Sequence, residues 1–138
     1  MSSIRPATAA DLAEIAAIQA ESPQAAQWRP EDYLAFDCSV TMRENRVAGF
    51  AVSRRTGPAE RELLNLAVAA QFRRRGVGAE LVKSLLTETG VCVFLEVRAS
   101  NMAGIAFYKH MKFQQVGVRP NYYAAPLESA IVLKFHSC

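Results

Sequence analysis

Three groups of residues in this chain have types and spacing that could do chemistry. One is the run Arg73-Arg74-Arg75-Gly76-Val77-Gly78, which leaves an apolar stretch and enters a helical pattern. Another is Glu96, a carboxylate inside the apolar run from Val91 to Val97. The third is Tyr108, which shares helical spacing with Ile105 and Met111.

The arginine-glycine run opens a helix, and a helix N-terminus presents unpaired N–H groups and a partial positive charge to an anion. Gly76 and Gly78 lack a Cβ, so phosphate oxygens can approach the backbone, and the arginines add cationic donors. No Gly-Lys-Ser/Thr follows, which excludes a nucleoside-triphosphate loop, and Ala79 to Leu81 supplies no third glycine for a dinucleotide fingerprint. On its own, Gly-x-Gly is more often a glycine-tolerant helix start with solvated arginines.

Strand alternation puts Phe94, Glu96 and Arg98 on one face and Val93, Leu95 and Val97 on the other. A carboxylate partly removed from water has a raised pKa and suits a general base; an ion pair with Arg98 or another arginine explains Glu96 equally well. Tyr108 at its spacing is ordinarily core packing, and becomes functional if its hydroxyl reaches a leaving group. Cys92 reads as a small buried hydrophobe with no visible partner base, and His110 as a surface residue. His136 carries no inference. Trp28 and Asn121-Tyr122-Tyr123 are core edges or walls of a groove, and the tyrosine pair favours the groove.

The elements that position these residues follow from periodicity and punctuation. Ile4 to Ala7 reads as a short strand, and Thr8 with Asp11 as a capping box before a helix whose Leu12, Ile15 and Ile18 share a face. Ser22-Pro23 ends it, and Pro30 to Phe36 reads as a second short helical stretch with Tyr33, Leu34 and Phe36 in apolar contacts. Val40 and Met42, a turn at Asn45-Arg46, and Val47 to Val52 predict a hairpin. Arg54 to Glu60 reads as a loop and Leu63 to Val68 as a strand. Val77, Leu81, Val82, Leu85 and Leu86 continue a helix to Gly90. Val91 to Val97 reads as a strand buried on both faces and parallel to its predecessor. A helix over Asn101 to Met111 and strands over Phe113 to Val118 and Ala130 to Phe135 complete the chain.

The expected architecture is one domain over residues 1–138, α/β in class, with a mixed central sheet of about six to seven strands flanked by helices. With 51% apolar and 21% charged residues the chain is not a disordered polymer, and a net charge of +3 is too small to indicate a nucleic-acid reader. Cys38, Cys92 and Cys138 have no metal-ligand or disulfide-framework spacing, which fits a reducing cytoplasm. The stretch around Arg5 and Asp11 has no apolar h-region and no apolar run reaches bilayer length, so neither a signal peptide nor a membrane partner is expected.

Several segments together resemble one family. Asn65-Leu66-Ala67-Val68, Arg73 to Gly78, Leu95-Glu96-Val97-Arg98-Ala99-Ser100-Asn101, Ile105-Ala106-Phe107-Tyr108, Lys112-Phe113 and Arg119-Pro120-Asn121-Tyr122-Tyr123 stand in the order and spacing of Gcn5-related (GNAT) N-acetyltransferases. Within these they look most like the RimI-type ribosomal-protein alanine N-acetyltransferases, strongly so in the C-terminal half. The resemblance implies a GNAT fold and acetyl-CoA as cosubstrate, with no metal. It assigns the pantetheine amides to the backbone of Leu66, Ala67 and Val68, and the pyrophosphate to the motif opened by Arg73 and formed by Arg74, Arg75, Gly76, Val77, Gly78 and Ala79. Asn101 and Tyr108 would contact the coenzyme, Glu96 would accept a proton, Tyr108 would donate one, and Trp28, Tyr122 and Tyr123 would line the acceptor groove.

The implied reaction is acetylation of a protein N-terminal α-amine, in particular the alanine of a small-ribosomal-subunit protein. Two departures bear on the acceptor: Gln27 stands before Trp28 where the family usually carries proline, and the stretch after Tyr123 is shorter and less acidic, with Glu128-Ser129. A small-molecule amine acetyltransferase is the enzymatic alternative. A non-catalytic acetyl-CoA-binding module would not need both Glu96 and Tyr108. Direct nucleic-acid binding through Arg54, Arg55 and Arg73 to Arg75 lacks interleaved aromatic residues and is not expected.

Overall fold

The computed structural model describes residues 3–124 and 126–136, so Cys138 lies outside the described residues. The strands are β1 (Ile4–Pro6), β2 (Asp37–Arg43), β3 (Arg46–Gly57), β4 (Glu60–Val68), β5 (Cys92–Arg98), β6 (Gln114–Ala124) and β7 (Leu127–His136). The α-helices are α1 (Leu12–Ala20), α2 (Val77–Leu85) and α3 (Met102–His110). The fold is α/β, with a seven-stranded mixed sheet in the order β1-β2-β3-β4-β5-β7-β6. Among the described residues no helix is long and apolar enough to cross a membrane.

The chain divides into two compact units. The first comprises residues 1–54 and 63–85. Within it β2 pairs antiparallel with β1 and β3, and Val47 to Ser53 are buried without a break. Such a run belongs to an interior strand covered on both sides. α2 lies close over Gly49: a Cβ there would stand 3.0 Å from Val77 Cγ1 and 3.1 Å from Leu81 Cδ1. At the start of α1, the Asp11 carboxylate accepts from the Thr8 N–H at 2.8 Å and from Arg5 at 2.8 Å, closing the expected cap. Ile15 and Ile18 are buried, whereas Leu12 is half-buried.

The second unit comprises residues 55–62 and 86–138. Here the first residues of β4 pair parallel with β5, Glu60 opposite Cys92 and Glu62 opposite Phe94. β5 pairs antiparallel with β7, and β7 with β6, so Glu96 stands opposite Val132 and Arg119 opposite Ala130. Phe113 links this sheet to α3, its ring 5.6 Å from Tyr108 and 5.7 Å from Phe135.

Several expectations need correction. Residues 54–60 are not a loop: β3 runs to Gly57 and β4 starts at Glu60, leaving a two-residue turn. Their polar side chains pair in place of an apolar face, Thr56 with Glu60 at 3.0 Å and Arg55 with Glu88 at 2.7 Å. α2 ends at Leu85 rather than near Gly90. β5 is fully buried on one face only: Val93, Leu95 and Val97 are buried, whereas on the other face Phe94, Glu96 and Arg98 are incompletely covered, although the Glu96 side chain is nearly buried. The stretch from Pro30 is a 3₁₀ helix in which Tyr33 is fully buried but Leu34 is exposed. β6 continues through Tyr122 and Tyr123, well past Val118.

Candidate active site

In the first unit, β4 ends at Val68 and passes through a 3₁₀ turn, Ala70–Phe72, into α2. Leu66 and Val68 are half-buried on one side of the strand and Ala67 is buried on the other. Arg73 fastens the turn from the exposed side: Nε donates to the Val68 carbonyl at 3.2 Å, and Nη2 to the Glu21 carbonyl at 2.9 Å. Its guanidinium already has these structural partners, so Arg74 and Arg75 are the more available cations of the motif. Arg75 lies over the Phe72 ring, 5.8 Å from its centroid.

The backbone then makes two left-handed steps, Arg74 at φ 65 and Gly76 at φ 79. A left-handed arginine is strained, whereas glycine takes this conformation readily. Beyond the turn, a helical bond runs from the Glu80 N–H to the Gly76 carbonyl at 3.0 Å. The amides of Val77, Gly78 and Ala79 precede it, where a helix provides no acceptor of its own. Nothing lies within 4 Å of where a Gly76 side-chain carbon would stand. The turn therefore has open space, helix-terminal N–H groups and cations together, a chemistry that fits a pyrophosphate.

Trp28 stacks on Tyr33, centroids 5.2 Å apart and planes 13° apart, with Phe36 tilted against it at 5.4 Å. The Gln19 side chain brackets its backbone, donating to the Trp28 carbonyl at 2.7 Å and accepting from its N–H at 3.1 Å. Asn65, buried in β4, holds the preceding Ala26 by both backbone groups. Neither Gln19 nor Asn65 stands out as an organiser of this loop from sequence, because their partners are distant along the chain.

In the second unit, Glu96 has a side chain only 9% exposed, and Arg119 Nε lies 3.2 Å from its Oε2. The approach is that of an ion pair without hydrogen-bond geometry, since Oε2 has no hydrogen-bond partner. Desolvation raises the Glu96 pKa, Arg119 opposes the rise, and Glu62 adds to it. The arginine on its own strand is committed elsewhere: Arg98 donates to Glu128 at 3.0 Å and lies 4.2 Å over the Tyr123 ring. Glu128 also accepts from the Ser100 N–H at 3.1 Å. Of the two pairings open for Glu96, the structure selects another arginine, Arg119, whose role the motif alone did not reveal.

Arg119 also faces the Tyr122 ring, 5.4 Å from its centroid, and Tyr122 meets Tyr123 edge to face at 5.1 Å. The structure thus gathers Glu96, Arg119, Tyr122 and Tyr123. The Tyr108 ring contacts Phe107 at 5.1 Å and Phe113 at 5.6 Å, and burial raises its pKa above the ordinary phenol value. Asn101 caps α3, its side-chain oxygen accepting from the Gly104 N–H at 3.0 Å. Cys92, for which the sequence shows no base, has its Sγ 3.4 Å from His136 Nδ1. Among the described residues no cluster of His, Cys, Asp or Glu could hold a metal ion.

The sequence model of the acetyltransferase (GNAT) family matches residues 9–113. The chain belongs to this family.

A GNAT protein named [Ribosomal protein bS18]-alanine N-acetyltransferase, from Salmonella typhimurium, is 40% identical over 96 residues, 65% of this chain and 64% of the relative. N-alpha-acetyltransferase RimI of Mycobacterium tuberculosis is 40% identical over 77 residues, covering 55% of this chain and 49% of its own length. The chain thus spans less than two thirds of these curated relatives, and 29% of an uncharacterized Mycobacterium leprae protein that is 35% identical over 105 residues, 72% of this chain. Among solved GNAT structures, the ribosomal-protein-S18-alanine N-acetyltransferase of Escherichia coli superposes with a TM-score of 0.82 at 27% identity, covering 99% of this chain and 94% of that one. Ard1 from Thermoplasma volcanium gives 0.88 at 27% identity, covering 99% and 98%.

Proposed function

We propose that this chain is a single GNAT domain over residues 1–138 that acetylates a protein N-terminal α-amine from acetyl-CoA in the cytoplasm. The acceptor read from its relatives is the terminal alanine of a small-ribosomal-subunit protein. The observation that carries the reading is Glu96, a carboxylate 9% exposed, raised in pKa by desolvation and with an oxygen that accepts no hydrogen bond. That is the state of a base kept ready for a proton.

Acetyl-CoA, when bound, supplies an acyl carbon already activated as a thioester. Val77, Gly78 and Ala79 offer their amides to its diphosphate, with Arg74 and Arg75 as counter-ions, and the backbone of Leu66, Ala67 and Val68 is the partner for its amide groups. An α-amino group has a pKa near 8 and arrives mostly protonated. Glu96 removes one proton: an N–H bond breaks, an O–H bond forms on the carboxylate, and the electron pair left on nitrogen makes the amine nucleophilic. Tyr108 stays protonated because burial disfavours its phenolate, so it is suited to donate a proton to a leaving group. Asn101 orients the start of α3, and Trp28, Tyr122 and Tyr123 present aromatic surface to the acceptor.

The test combines coenzyme binding with product identification. Calorimetry with coenzyme A should show saturable association, and thiol release should accompany acetylation of peptides beginning with Ala, Ser or Met. Spermidine and free lysine are the control acceptors. No association with coenzyme A sinks the proposal. Turnover with spermidine alone reassigns the protein to small-molecule amines, and association without turnover of any acceptor reduces it to a binding module.

A further inference from the structure

The Glu96 carboxylate is set among charges that differ in how firmly they are held. Glu62 of β4, a like charge, opposes ionisation of Glu96. Arg98, on the same strand and face, is bound to Glu128 of β7 and to the Tyr123 ring of β6. Lys134 of β7 pairs with Glu60 at 3.7 Å. Arg119 of β6 is the cation that reaches Glu96, and its side chain is 58% exposed while that of Glu96 is 9% exposed.

That asymmetry is unusual for a structural ion pair, in which a buried charge is normally matched by a buried, fully hydrogen-bonded partner. Here the guanidinium approaches to 3.2 Å without hydrogen-bond geometry, keeps most of its surface in solvent, and rests near the Tyr122 ring at 5.4 Å. It has a second favourable surface available if it leaves the carboxylate. A protonated α-amine carries the same unit charge and can replace it as the counter-ion.

We propose that Arg119 is a positioning residue for Glu96, holding the carboxylate aimed and ionised until a protonated acceptor amine displaces the guanidinium. This rests on the reading of Glu96 as the base. Displacement is an exchange of one cation for another and involves no bond chemistry. It prepares the proton transfer from ammonium nitrogen to carboxylate oxygen already described. It also sets a selectivity: cationic acceptors take over the counter-ion role, and neutral isosteres leave Arg119 in place.

The experiment follows the Glu96 carboxyl carbon by NMR in protein labelled at glutamate, titrated without substrate, beside the pH dependence of turnover. In Arg119→Gln the carboxyl midpoint should rise by about half a pH unit or more, and the acid limb of kcat/KM, which reports the free enzyme, should move upward with it. Arg119→Lys should restore more than half of both shifts. A blocked peptide with a neutral terminus should leave the wild-type carboxyl resonance unmoved, while the free-amine peptide should shift it. An unchanged midpoint in Arg119→Gln, or an activity loss equal at every pH, overturns the proposal. The NMR midpoint does not depend on catalysis, so it separates failure of the Arg119 pairing from failure of Glu96 as base, which would appear as an acid limb that persists in Glu96→Gln.

Discussion

Asn65 donates a hydrogen bond to the hydroxyl of Tyr33 at 3.0 Å, and both residues are buried. The same amide donates to the Ala26 carbonyl at 3.0 Å, and its oxygen accepts from the N–H groups of Ala26 at 3.2 Å and Leu66 at 3.0 Å. One side chain therefore fixes the loop before Trp28 to β4. Asn65→Ala removes one partner of the buried Tyr33 hydroxyl and the side-chain partner of the Ala26 backbone groups, and should lower unfolding free energy by about 2–3 kcal/mol, against about 1 kcal/mol for Tyr33→Phe. Urea denaturation measures both; equal losses would mean that the Ala26 bonds contribute little.

Glu96→Gln keeps the shape of the side chain and removes its basicity. Turnover should fall by about 10²–10⁴-fold, with coenzyme affinity by calorimetry nearly unchanged. In the wild type the carboxylate must be ionised to act, and desolvation raises its pKa, so activity should decline as pH falls through a value higher than that of an ordinary solvated glutamate. That limb should be absent in the variant. Tyr108→Phe should lower turnover by about 10²-fold while preserving the ring contacts with Phe107 and Phe113.

The Asp11 carboxyl is held down to about 2, first by its hydrogen bonds from Arg5 and opposed by its own burial. A carboxylate with a depressed folded pKa stabilises the fold above its unfolded pKa, about 3.9, and loses that contribution as pH falls through the folded value. Wild-type stability should therefore drop between about pH 4 and pH 2 by about 1–2 kcal/mol more than that of Asp11→Asn. This figure is reduced because Arg5 is 42% exposed and solvent weakens the pair. Acid titration of both proteins by circular dichroism checks it.

Gly49 is the position where β3 admits α2. An added Cβ would stand 2.9 Å from the Ala67 carbonyl oxygen, a backbone atom that cannot swing aside. Gly49→Ala should cost about 1–3 kcal/mol in thermal or urea unfolding. Gly57→Ala, where nothing lies within 4 Å, is the control and should cost much less.

The strand, turn and helix from β4 to α2 were legible in the sequence because every signal in them is local: an apolar run, two glycines, then repeats at helical spacing. Glu96 and its face were equally readable, since alternation needs only one strand. Its partner was not. Arg119 reaches Glu96 through two antiparallel pairings, β5 with β7 and β7 with β6, whose register no short segment encodes. The hairpin at 54–60 escaped for a different reason. Its strands are joined by a polar side-chain pair, Thr56 with Glu60, so it lacks the alternating apolar pattern by which strands are recognised. The largely apolar run from Val91 to Val97 suggested burial on both faces, whereas one face of β5 is incompletely covered.

Val77, the first residue of α2, is 1% exposed, and Leu81 one turn later is fully buried. Helices ordinarily fray at their first turn, but this one is nailed to the protein interior at its opening residue. The amides beside Val77 inherit that rigidity, so an anion arriving there meets dipoles already aimed and need not spend interaction energy on ordering them.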